Sequence, residues 1–537
     1  MEKKTLTIIV VFIFSLAPFE FIFSQNLKTY DLIFSEIMFD PTPSVSLPEL
    51  EFIEIYNNSD SLINLSEISL KIGSRSFIPE NQILKPDSFI VFWDEEIPTL
   101  KNSGDSLKIM FGNNTIHRLD YTPSMHTSSF KRNGGWSLEL IDFTKPCLTE
   151  NNWNSSDNTL GGTPGKSNSI LNELSPLPIE LLSYCPKNDS LLNIIFSVPI
   201  ESLEMNNEYE SFYNQVVVTI PKLDSNSIDS LFITNATTCY ETRPFEALTL
   251  KYGLPLIPDS GDLVINELLF NPDEEGSDFI EIFNVSNKPI NISSLYFCKK
   301  NNENELQEPF EISKYPILLM PNEYSVLCPN KSWLMNTFPK TKNITESNIP
   351  AMNNDEGKIV LLTHSAKIID EIHYFENWHH NELIHYENVS LEKLRPTLIN
   401  VSSNWSSASS VENYATPGYE NSNFTELKNT TQNFKLNHSV FTPNGDGYND
   451  HLILQYNLSD VNWIGKIDVV NHFGETIHNM YSNILFGKKN SINWNGKLTN
   501  NTSIKPGIYA LLINAYNTKT QKKIRKKLIF YVNGILE

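Results

Sequence analysis

The chain lacks the motifs by which enzymes are commonly recognised. Its 537 residues contain no G-x-S-x-G elbow, no Walker phosphate loop and no H-E-x-x-H zinc motif. The five cysteines stand at positions 147, 185, 239, 298 and 328, and no two form a C-x-x-C pair, so a zinc or redox motif is not indicated. The sequence therefore predicts a protein that is not an enzyme, with no catalytic and no cofactor-binding residues assigned.

Long apolar runs are absent beyond the N-terminus. There, Met-Glu-Lys-Lys precedes the mostly apolar stretches Leu6–Leu16 and Phe19–Phe23, an order typical of a secretory signal. Pro18 and Glu20 interrupt the run, whereas a membrane span needs about 20 consecutive apolar residues. We expect a signal peptide at residues 1–24, export to the cell surface or the medium, and no integral membrane span after cleavage.

Positive charge is scarce in most of the chain. Lys and Arg number 41 against 63 Asp and Glu, a formal charge of −22, and a chain this acidic repels phosphate backbones. Nucleic acid is therefore not an expected partner. Residues 433–535 differ, with twelve Lys/Arg against five Asp/Glu. This basic stretch indicates either a tail with its own partner or a solvated strand edge that lysines protect from aggregation.

No segment keeps a long helical period. Short apolar, β-branched and aromatic runs occur instead, separated by Asn, Ser, Gly and Pro, as in a sandwich or barrel. In the first part of the chain we predict strands at Leu32–Phe39, Phe52–Tyr56, Ile68–Ile72, Ser88–Trp93, Ser106–Phe111 and Ser137–Ile141. The expected fold class is all-β.

One long segment is written twice. The phrase Leu32–Pro41 returns as Leu263–Pro272, and Glu51–Asn57 returns as Asp278–Asn284. The copies end alike, with Ser137-Leu-Glu139 and Thr163-Pro-Gly165 matching Ser390-Leu-Glu392 and Thr416-Pro-Gly418. Self-similarity over a whole domain length predicts a duplication.

These repeated phrases resemble the lamin-tail domain over residues 28–170 and 261–422. The resemblance implies two immunoglobulin-like β-sandwiches without general catalytic residues, of a kind found in exported bacterial proteins and sometimes beside nucleases or other hydrolases. Residues 173–258, between the copies, resemble small bacterial Ig-like modules. Residues 423–433 are polar and predict a linker.

The last segment, residues 434–537, resembles the C-terminal domain of Bacteroidetes surface and gliding-motility proteins and the Ig-like domain of flagellar hook-capping proteins. The resemblance rests on Phe441–Asp450, Trp494-Asn-Gly496 and Pro506–Ala510. It implies a β-sandwich that directs export by the type IX route and attachment to the cell surface. The N-R-W-G motif of that group stands here as Asn471-His-Phe-Gly474, which leaves open a sorting or a merely structural type.

Oxygen-bearing side chains crowd the start of this last segment, and they are candidate calcium ligands. They are Asn444, Asp446, Asn449 and Asp450. The alternative is a tight turn, in which glycines supply positive φ and Asn and Asp side chains cap the backbone.

Two pairs of glutamates recur and invite comparison with an acid–base pair: Glu36 with Glu54, and Glu267 with Glu281. We favour the reading that they are strand residues accepting backbone N–H bonds inside the sandwich.

The second copy also holds four histidines beside three glutamates. They are His373, His379, His380 and His385 with Glu371, Glu376 and Glu382. No metal-ligand spacing occurs and the first copy lacks a matching cluster, so a loop with surface histidines is expected.

An exported chain permits disulfides. Two pairings are hypothesised, Cys298 with Cys328 and Cys185 with Cys239, which leaves Cys147 over.

We expect a non-enzymatic scaffold or adhesion protein on the cell surface, binding a surface polysaccharide or protein through the loops Pro43–Leu50 and Trp378–His385. The C-terminal segment would engage the export and sorting machinery. The alternatives are a secreted, nuclease-like hydrolase or its accessory, and a cell-envelope or gliding component.

Overall fold

A computed structural model describes residues 26–148, 150–225, 227–425 and 432–533. The signal peptide predicted at 1–24 lies outside the described residues, as do residues 426–431 of the predicted linker. The chain is all-β and multidomain, as predicted, with antiparallel sheets stacked into sandwiches and a single α-helix within the described ranges.

Residues 28–170, called repeat 1 below, pack a five-stranded sheet of order β11-β10-β1-β2-β7 against a four-stranded sheet of order β5-β4-β8-β9. Its strands are Leu32–Met38 (β1), Phe52–Asn57 (β2), Ile63–Asn64 (β3), Ile68–Ile72 (β4), Arg75–Phe77 (β5), Ile83–Leu84 (β6), Phe89–Trp93 (β7), Asp105–Phe111 (β8), Asn114–Tyr121 (β9), Leu138–Leu140 (β10) and Trp153–Ser155 (β11). Short 3-10 turns cover Leu65–Glu67, Pro123–Met125, Lys131–Asn133 and Glu150–Asn152.

Residues 173–258, called the middle module below, form a four-stranded sheet of order β12-β13-β16-β15 with the strand pairs β14-β18 and β17-β19. The strands are Leu181–Pro186 (β12), Leu191–Phe196 (β13), Ser202–Glu204 (β14), Tyr209–Phe212 (β15), Gln215–Thr219 (β16), Ile228–Ile233 (β17), Asn235–Thr237 (β18) and Leu248–Gly253 (β19).

Residues 261–422, called repeat 2 below, rebuild the architecture of repeat 1. The strands are Leu263–Leu269 (β20), Phe279–Asn284 (β21), Ile290–Asn291 (β22), Leu295–Lys299 (β23), Phe310–Glu311 (β24), Leu318–Leu319 (β25), Tyr324–Cys328 (β26), Ile344–Glu346 (β27), Glu356–Thr363 (β28), Ile368–Phe375 (β29), Leu391–Lys393 (β30) and Trp405–Ser407 (β31). The helix Lys331–Thr337 (α1) and 3-10 turns at Ile292–Ser294, Glu376–Trp378, Ser402–Asn404 and Ser410–Glu412 complete it.

The two repeats match strand for strand. The order β26-β21-β20-β30-β31 in repeat 2 mirrors β7-β2-β1-β10-β11 in repeat 1, and both first strands carry a bulge just before the glutamate, at Phe34/Glu36 and Ile265/Glu267. Repeat 2 adds β27, which pairs in parallel with β26. The duplication predicted from the sequence thus extends to the register of the sheets.

The repeated strands are buried on both faces, which is why they lack the alternation of a half-exposed strand. All seven residues of β1 and of β20 are buried. One face contributes to the hydrophobic core between the sheets, where Leu32, Phe34 and Ile37 lie. The segment that closes each repeat covers the other face and bonds to its side chains.

The C-terminal module, residues 432–533 as described, packs a sheet of order β32-β34-β37 against one of order β33-β39-β38-β35-β36. Its strands are Asn433–Leu436 (β32), Val440–Phe441 (β33), Leu452–Asn457 (β34), Trp463–Asn471 (β35), Thr476–Phe486 (β36), Lys489–Trp494 (β37), Gly507–Asn517 (β38) and Lys523–Val532 (β39). The basic residues predicted for a strand edge lie on β39, which β33 covers only at Tyr531 and Val532.

A disulfide joins repeat 1 to the middle module, and it is neither of the pairings hypothesised from the sequence. Cys147 bonds Cys239, with Cα atoms 6.1 Å apart, while the other three cysteines are free and buried. The pairing of Cys298 with Cys328 is wrong because the two lie on different sheets, in separate apolar clusters. The pairing of Cys185 with Cys239 is wrong because Cys185 packs inside the core of the middle module.

The other junctions are also extensive. Leu318 and Met320 of repeat 2 pack into the core of the middle module. Repeat 2 meets the C-terminal module through polar bonds, among them Ser409 Oγ to the Leu485 carbonyl at 2.8 Å and the Lys488 N–H to the Ser422 carbonyl at 2.8 Å. The modules are thus connected by more than the chain itself.

Candidate functional site

Three buried glutamates of each repeat lie close together on the covered face of its larger sheet. Glu36 stands directly opposite Glu54 on one neighbouring strand and Glu139 on the other, and none of the three is exposed. Facing residues on neighbouring strands have Cβ atoms about 5 Å apart, so three carboxyls share one small volume. In repeat 2, Glu267 stands between Glu281 and Glu392 in the same way. We call each set a glutamate trio.

The closing segment of each repeat supplies the donors that the trio needs. In repeat 1 the Thr163 N–H donates to Glu36 at 2.7 Å, the Gly165 N–H to Glu54 at 2.6 Å, and the Ser169 N–H to Glu139 at 2.6 Å. Repeat 2 repeats these bonds from Thr416, Gly418 and Ser422. The recurring Thr-Pro-Gly is therefore a donor segment, and its glycine is required at φ +75° in repeat 1 and +87° in repeat 2.

In each trio one threonine hydroxyl lies between two carboxyl groups. The Thr163 hydroxyl lies 3.1 Å from Glu36 Oε2 and 2.9 Å from Glu139 Oε1, although it has one proton to donate. A full hydrogen bond on both sides requires one carboxyl to be protonated and to donate to the hydroxyl oxygen. Burial favours this state, because it raises the pKa of Glu36 to about 7 and that of Glu54 to about 8. In repeat 2, burial likewise raises the pKa of Glu267 and Glu281.

These shifts predict a pH dependence of stability. The folded-state pKa values of Glu36 and Glu54 lie above the unfolded value of 4.5, so the folded state binds more protons at intermediate pH. Their contribution is fully present below about pH 4.5 and is lost as the pH rises through about 7 to 8. Glu54→Gln should flatten this slope. Amide-exchange protection of β1, measured across that range, checks it, and an unchanged slope would contradict the raised pKa of Glu54.

The arrangement does not leave a carboxylate free for general acid–base work. Glu54 accepts from the Ser35 hydroxyl at 2.7 Å on one oxygen and from Gly165 on the other. In repeat 2, Glu281 accepts from Asn266 at 2.8 Å and from Gly418 at 2.6 Å. The structural reading of these residues matches the geometry. Glu139 and Glu392, the third members, were not singled out from the sequence, although the repeated Ser-Leu-Glu contained them.

The histidines expected on a surface loop are partly core residues, which corrects that expectation. His379 is 3% exposed, with its Nδ1 3.0 Å from the Ser407 hydroxyl and its ring between Phe270 and Tyr386. Burial lowers the pKa of His379 to about 3. His380 is also buried and lies 3.1 Å from the Thr518 hydroxyl of the C-terminal module. The bend after β29 folds these two inward to fill the sandwich end.

Repeat 1 holds an equivalent of one of these histidines. His126 lies with its Nδ1 2.8 Å from the Ser155 hydroxyl and packs on Phe39, as His379 does with Ser407 and Phe270. Burial lowers the pKa of His126 to about 4. In both repeats this histidine is neutral and hydrogen-bonded to the equivalent strand, β11 or β31. It is therefore a structural residue of the sandwich. His373 and His385 are left at the surface.

The turn with the candidate calcium ligands is exposed and internally hydrogen-bonded. Asp450 accepts from the N–H groups of Gly445 at 2.6 Å and Gly447 at 2.7 Å, which hold the pKa of its carboxyl below the usual value. Asp446 accepts from the Tyr448 N–H and from Asn444 Nδ2, each at 2.8 Å. Asn449 adopts φ +55°. No group of three or more metal-binding His, Cys, Asp or Glu residues occurs in the part of the chain that the structure describes.

This geometry predicts a structural turn that calcium does not stiffen. Asp450→Ala removes the acceptor for three backbone N–H groups and should lower the melting temperature of the C-terminal module by the same amount with and without calcium. Calorimetry checks it. A calcium-dependent rise in the melting temperature of the native chain, abolished by Asp446→Ala, would instead establish the metal site.

A cavity of about 360 Å³ lies at the junction of repeat 1 and the middle module, beside the disulfide. Arg118 in its wall pairs with Asp120 at 2.8 Å and covers the rings of Phe212 and Tyr213 at 5.0 and 5.3 Å. His117 in its wall accepts from the Phe34 N–H and meets the Pro146 carbonyl, and burial lowers its pKa to about 4. His117 is thus a structural residue of the wall and not a free base.

Of the two loops named from the sequence, only parts are accessible. Pro43–Leu50 rests on Gly135 and Gly161 through Pro43 and Val45, and Val45 remains 38% exposed. In Trp378–His385, His379 and His380 are buried, and Ile384 is 84% exposed. In repeat 2 the place of the first loop is taken by a shorter turn held by α1, whose Trp333 Nε1 donates to Asp273 at 3.1 Å.

Two family models match separate parts of the chain. The Lamin Tail Domain matches residues 26–132, and the CHU_C Type IX secretion signal domain matches residues 435–532. The fold and these matches indicate a chain of Ig-like sandwiches that ends in a secretion signal domain. This chain carries a lamin tail domain in repeat 1 and a type IX secretion signal domain at its C-terminal end, which implies export to the surface or the medium.

Similarity to solved structures is slight. The chain is 11% identical to PorZ, an essential surface component of the type IX secretion system of Porphyromonas gingivalis, covering 80% of this chain and 56% of that one with a TM-score of 0.17. It is 9% identical to dimeric latent PorU of the same organism, covering 71% and 35% with a TM-score of 0.15. It is 8% identical to the FN1–FN3 domains of chicken CNTN1, covering 66% of this chain and 98% of that one with a TM-score of 0.14. With TM-scores this low, these similarities support no conclusion about the function of this chain.

The chain spans 56% of the PorZ structure and 35% of the PorU structure. No curated protein matches it. In the residues that the structure describes, no helix has the length and apolar content that a membrane crossing requires.

Proposed function

We propose that the protein is a non-enzymatic cell-surface protein, a scaffold or adhesin, exported and attached through its C-terminal module. The observation that carries the proposal is the type IX secretion signal domain at residues 435–532, set behind two sandwiches whose buried carboxylates are all engaged in hydrogen bonds. A surface polysaccharide or protein is the proposed ligand, bound at the exposed loop tips near Val45 and Ile384.

Export is tested by removing the C-terminal module from the full chain in a host with a type IX system. The cut belongs after Thr425, because Ser422 and Asn423 donate to Glu392 and the Thr425 N–H bonds the Leu394 carbonyl. A cut after Asn421 would damage repeat 2 itself. We expect the shortened chain to remain inside the cell, where protease added to intact cells does not reach it. Surface exposure equal to that of the full chain would overturn the proposal.

A further inference from the structure

The C-terminal module exposes one apolar sheet face. Val440 on β33, Tyr531 on β39 and Ile508 on β38 stand directly opposite one another across three neighbouring strands. They are 43%, 48% and 51% exposed, although their chain neighbours Phe441, Phe530 and Val532 are buried in the core. Ile529, 52% exposed, lies two residues along β39 on the same face, opposite Ala510. Single exposed apolar residues are ordinary, whereas four contiguous ones mark an interaction surface.

The same face becomes basic along β39. Residues two apart on a strand share a face, so Lys527, Arg525 and Lys523 continue the line that Ile529 and Tyr531 begin. All three are exposed, and the edge of β39 beside them has no partner strand within the described residues. We call the two parts together the β39 face. Lysines on a free edge prevent unwanted pairing, which accounts for the charge but not for the apolar end.

The rest of the described chain leaves the β39 face uncovered. Repeat 2 contacts the module at the opposite end of its strands, through Leu485, Lys488, Asn462 and Thr518. The apolar row lies at the far end, next to the row in which Asn471 pairs with Tyr509.

The turn Asn471–Gly474 follows β35 at the same end of the sheet as the apolar row. Asn471 Oδ1 accepts from the N–H groups of Phe473 and Glu475, both at 3.0 Å, and Gly474 takes φ +85°. The turn holds Phe473 outward, 77% exposed. Asn471 and Gly474 thus shape the turn, and Phe473 between them is left exposed.

We propose that the β39 face is the surface by which the export machinery recognises this chain, and that its occupant is a receptor protein with an apolar contact bordered by carboxylates. This rests on the proposed export function. Charge complementarity favours such a partner: the module carries twelve Lys/Arg against five Asp/Glu, whereas the whole chain has a net charge of −22. An acidic receptor attracts this module and repels the others, which orients the chain for capture.

The test uses the full chain in a host with a type IX system. Ile529→Thr with Tyr531→Thr keeps strand propensity and removes the apolar contact. We expect at least a tenfold loss of surface protein, with an unchanged melting temperature of the purified variant. A second variant, Arg525→Glu with Lys527→Glu, should lose surface protein to a similar degree. The control is Phe232→Thr, an equally exposed strand residue of the middle module.

The outcomes separate the inference from the function it rests on. Retention of both variants and of the chain cut after Thr425, with normal export of the control, supports the inference. Normal export of both variants while the cut chain is retained overturns the inference and leaves the export function standing. Export of the cut chain overturns both. If the purified chain is dimeric and the variant Ile529→Thr with Tyr531→Thr is monomeric, the β39 face binds a second copy of this chain. That result would overturn the proposal of a receptor.

Discussion

Glu267→Ala is expected to lower the unfolding free energy of repeat 2 by about 4 kcal/mol, because each buried donor left without a partner costs about 1–3 kcal/mol. The substitution strips the acceptor from the Thr416 N–H and leaves the Ser390 and Thr416 hydroxyls only the Tyr414 carbonyl and Glu392. It also leaves a cavity where the buried side chain stood, which adds to the loss. It also detaches the closing segment from the strand that it covers. Amide-exchange protection of β20 measures the loss in this domain, where a whole-chain melting curve would mix four modules.

Two comparisons make this prediction specific. Glu267→Gln keeps an acceptor oxygen and the side-chain volume, so its loss should be clearly smaller than that of the alanine variant. Glu308→Ala changes an exposed glutamate of the same repeat and should stay within about 0.5 kcal/mol. Equal protection of β20 in Glu267→Ala and Glu308→Ala would show that the trio does not hold the repeat together.

Removal of the disulfide is expected to have the second largest effect. The bond closes a loop with a sequence separation of 92, and disulfides typically contribute about 2–4 kcal/mol. Cys147→Ser with Cys239→Ser should destabilise the junction of repeat 1 and the middle module by that amount, most visibly in exchange at β9 and β15, where Tyr213 bonds the Arg118 carbonyl.

The pairing itself is checked by alkylation of the denatured chain. Before reduction, the thiols of Cys185, Cys298 and Cys328 should react, and Cys147 and Cys239 should react only afterwards. Cys298→Ala is the matched control, since it removes a buried cysteine and leaves the bridge intact. Recovery of a peptide pair joined through Cys298 and Cys328 would contradict the structure.

The sequence was sufficient for features that a repeated pattern encodes. Two copies of a strand with the same buried glutamate pointed to a structural carboxylate, and the donor segment Thr-Pro-Gly lay in the matched ends. The third member of each trio escaped notice because Glu139 is distant from Glu36 in the chain, and only the sheet register brings them together.

Other features depended on contacts that no local pattern reveals. The disulfide links two modules, so spacing within one module pointed to the wrong partners for Cys239 and Cys298. Strand β9 was not predicted, because the buried His117 interrupts its apolar alternation. His126 and His379 were not matched because their flanking sequences differ, while the serine and phenylalanine that hold them are contributed by other strands.

Hydrolysis by the purified chain tests most directly the central claim that the repeats' carboxylates build the fold and perform no chemistry. DNA and RNA, single- and double-stranded, are incubated with residues 26–537 and with magnesium, manganese or calcium. We predict no cleavage above the protein-free blank with any of the metals. Metal-dependent cleavage that disappears in folded Glu54→Gln or Glu281→Gln would contradict the account and make the protein a nuclease.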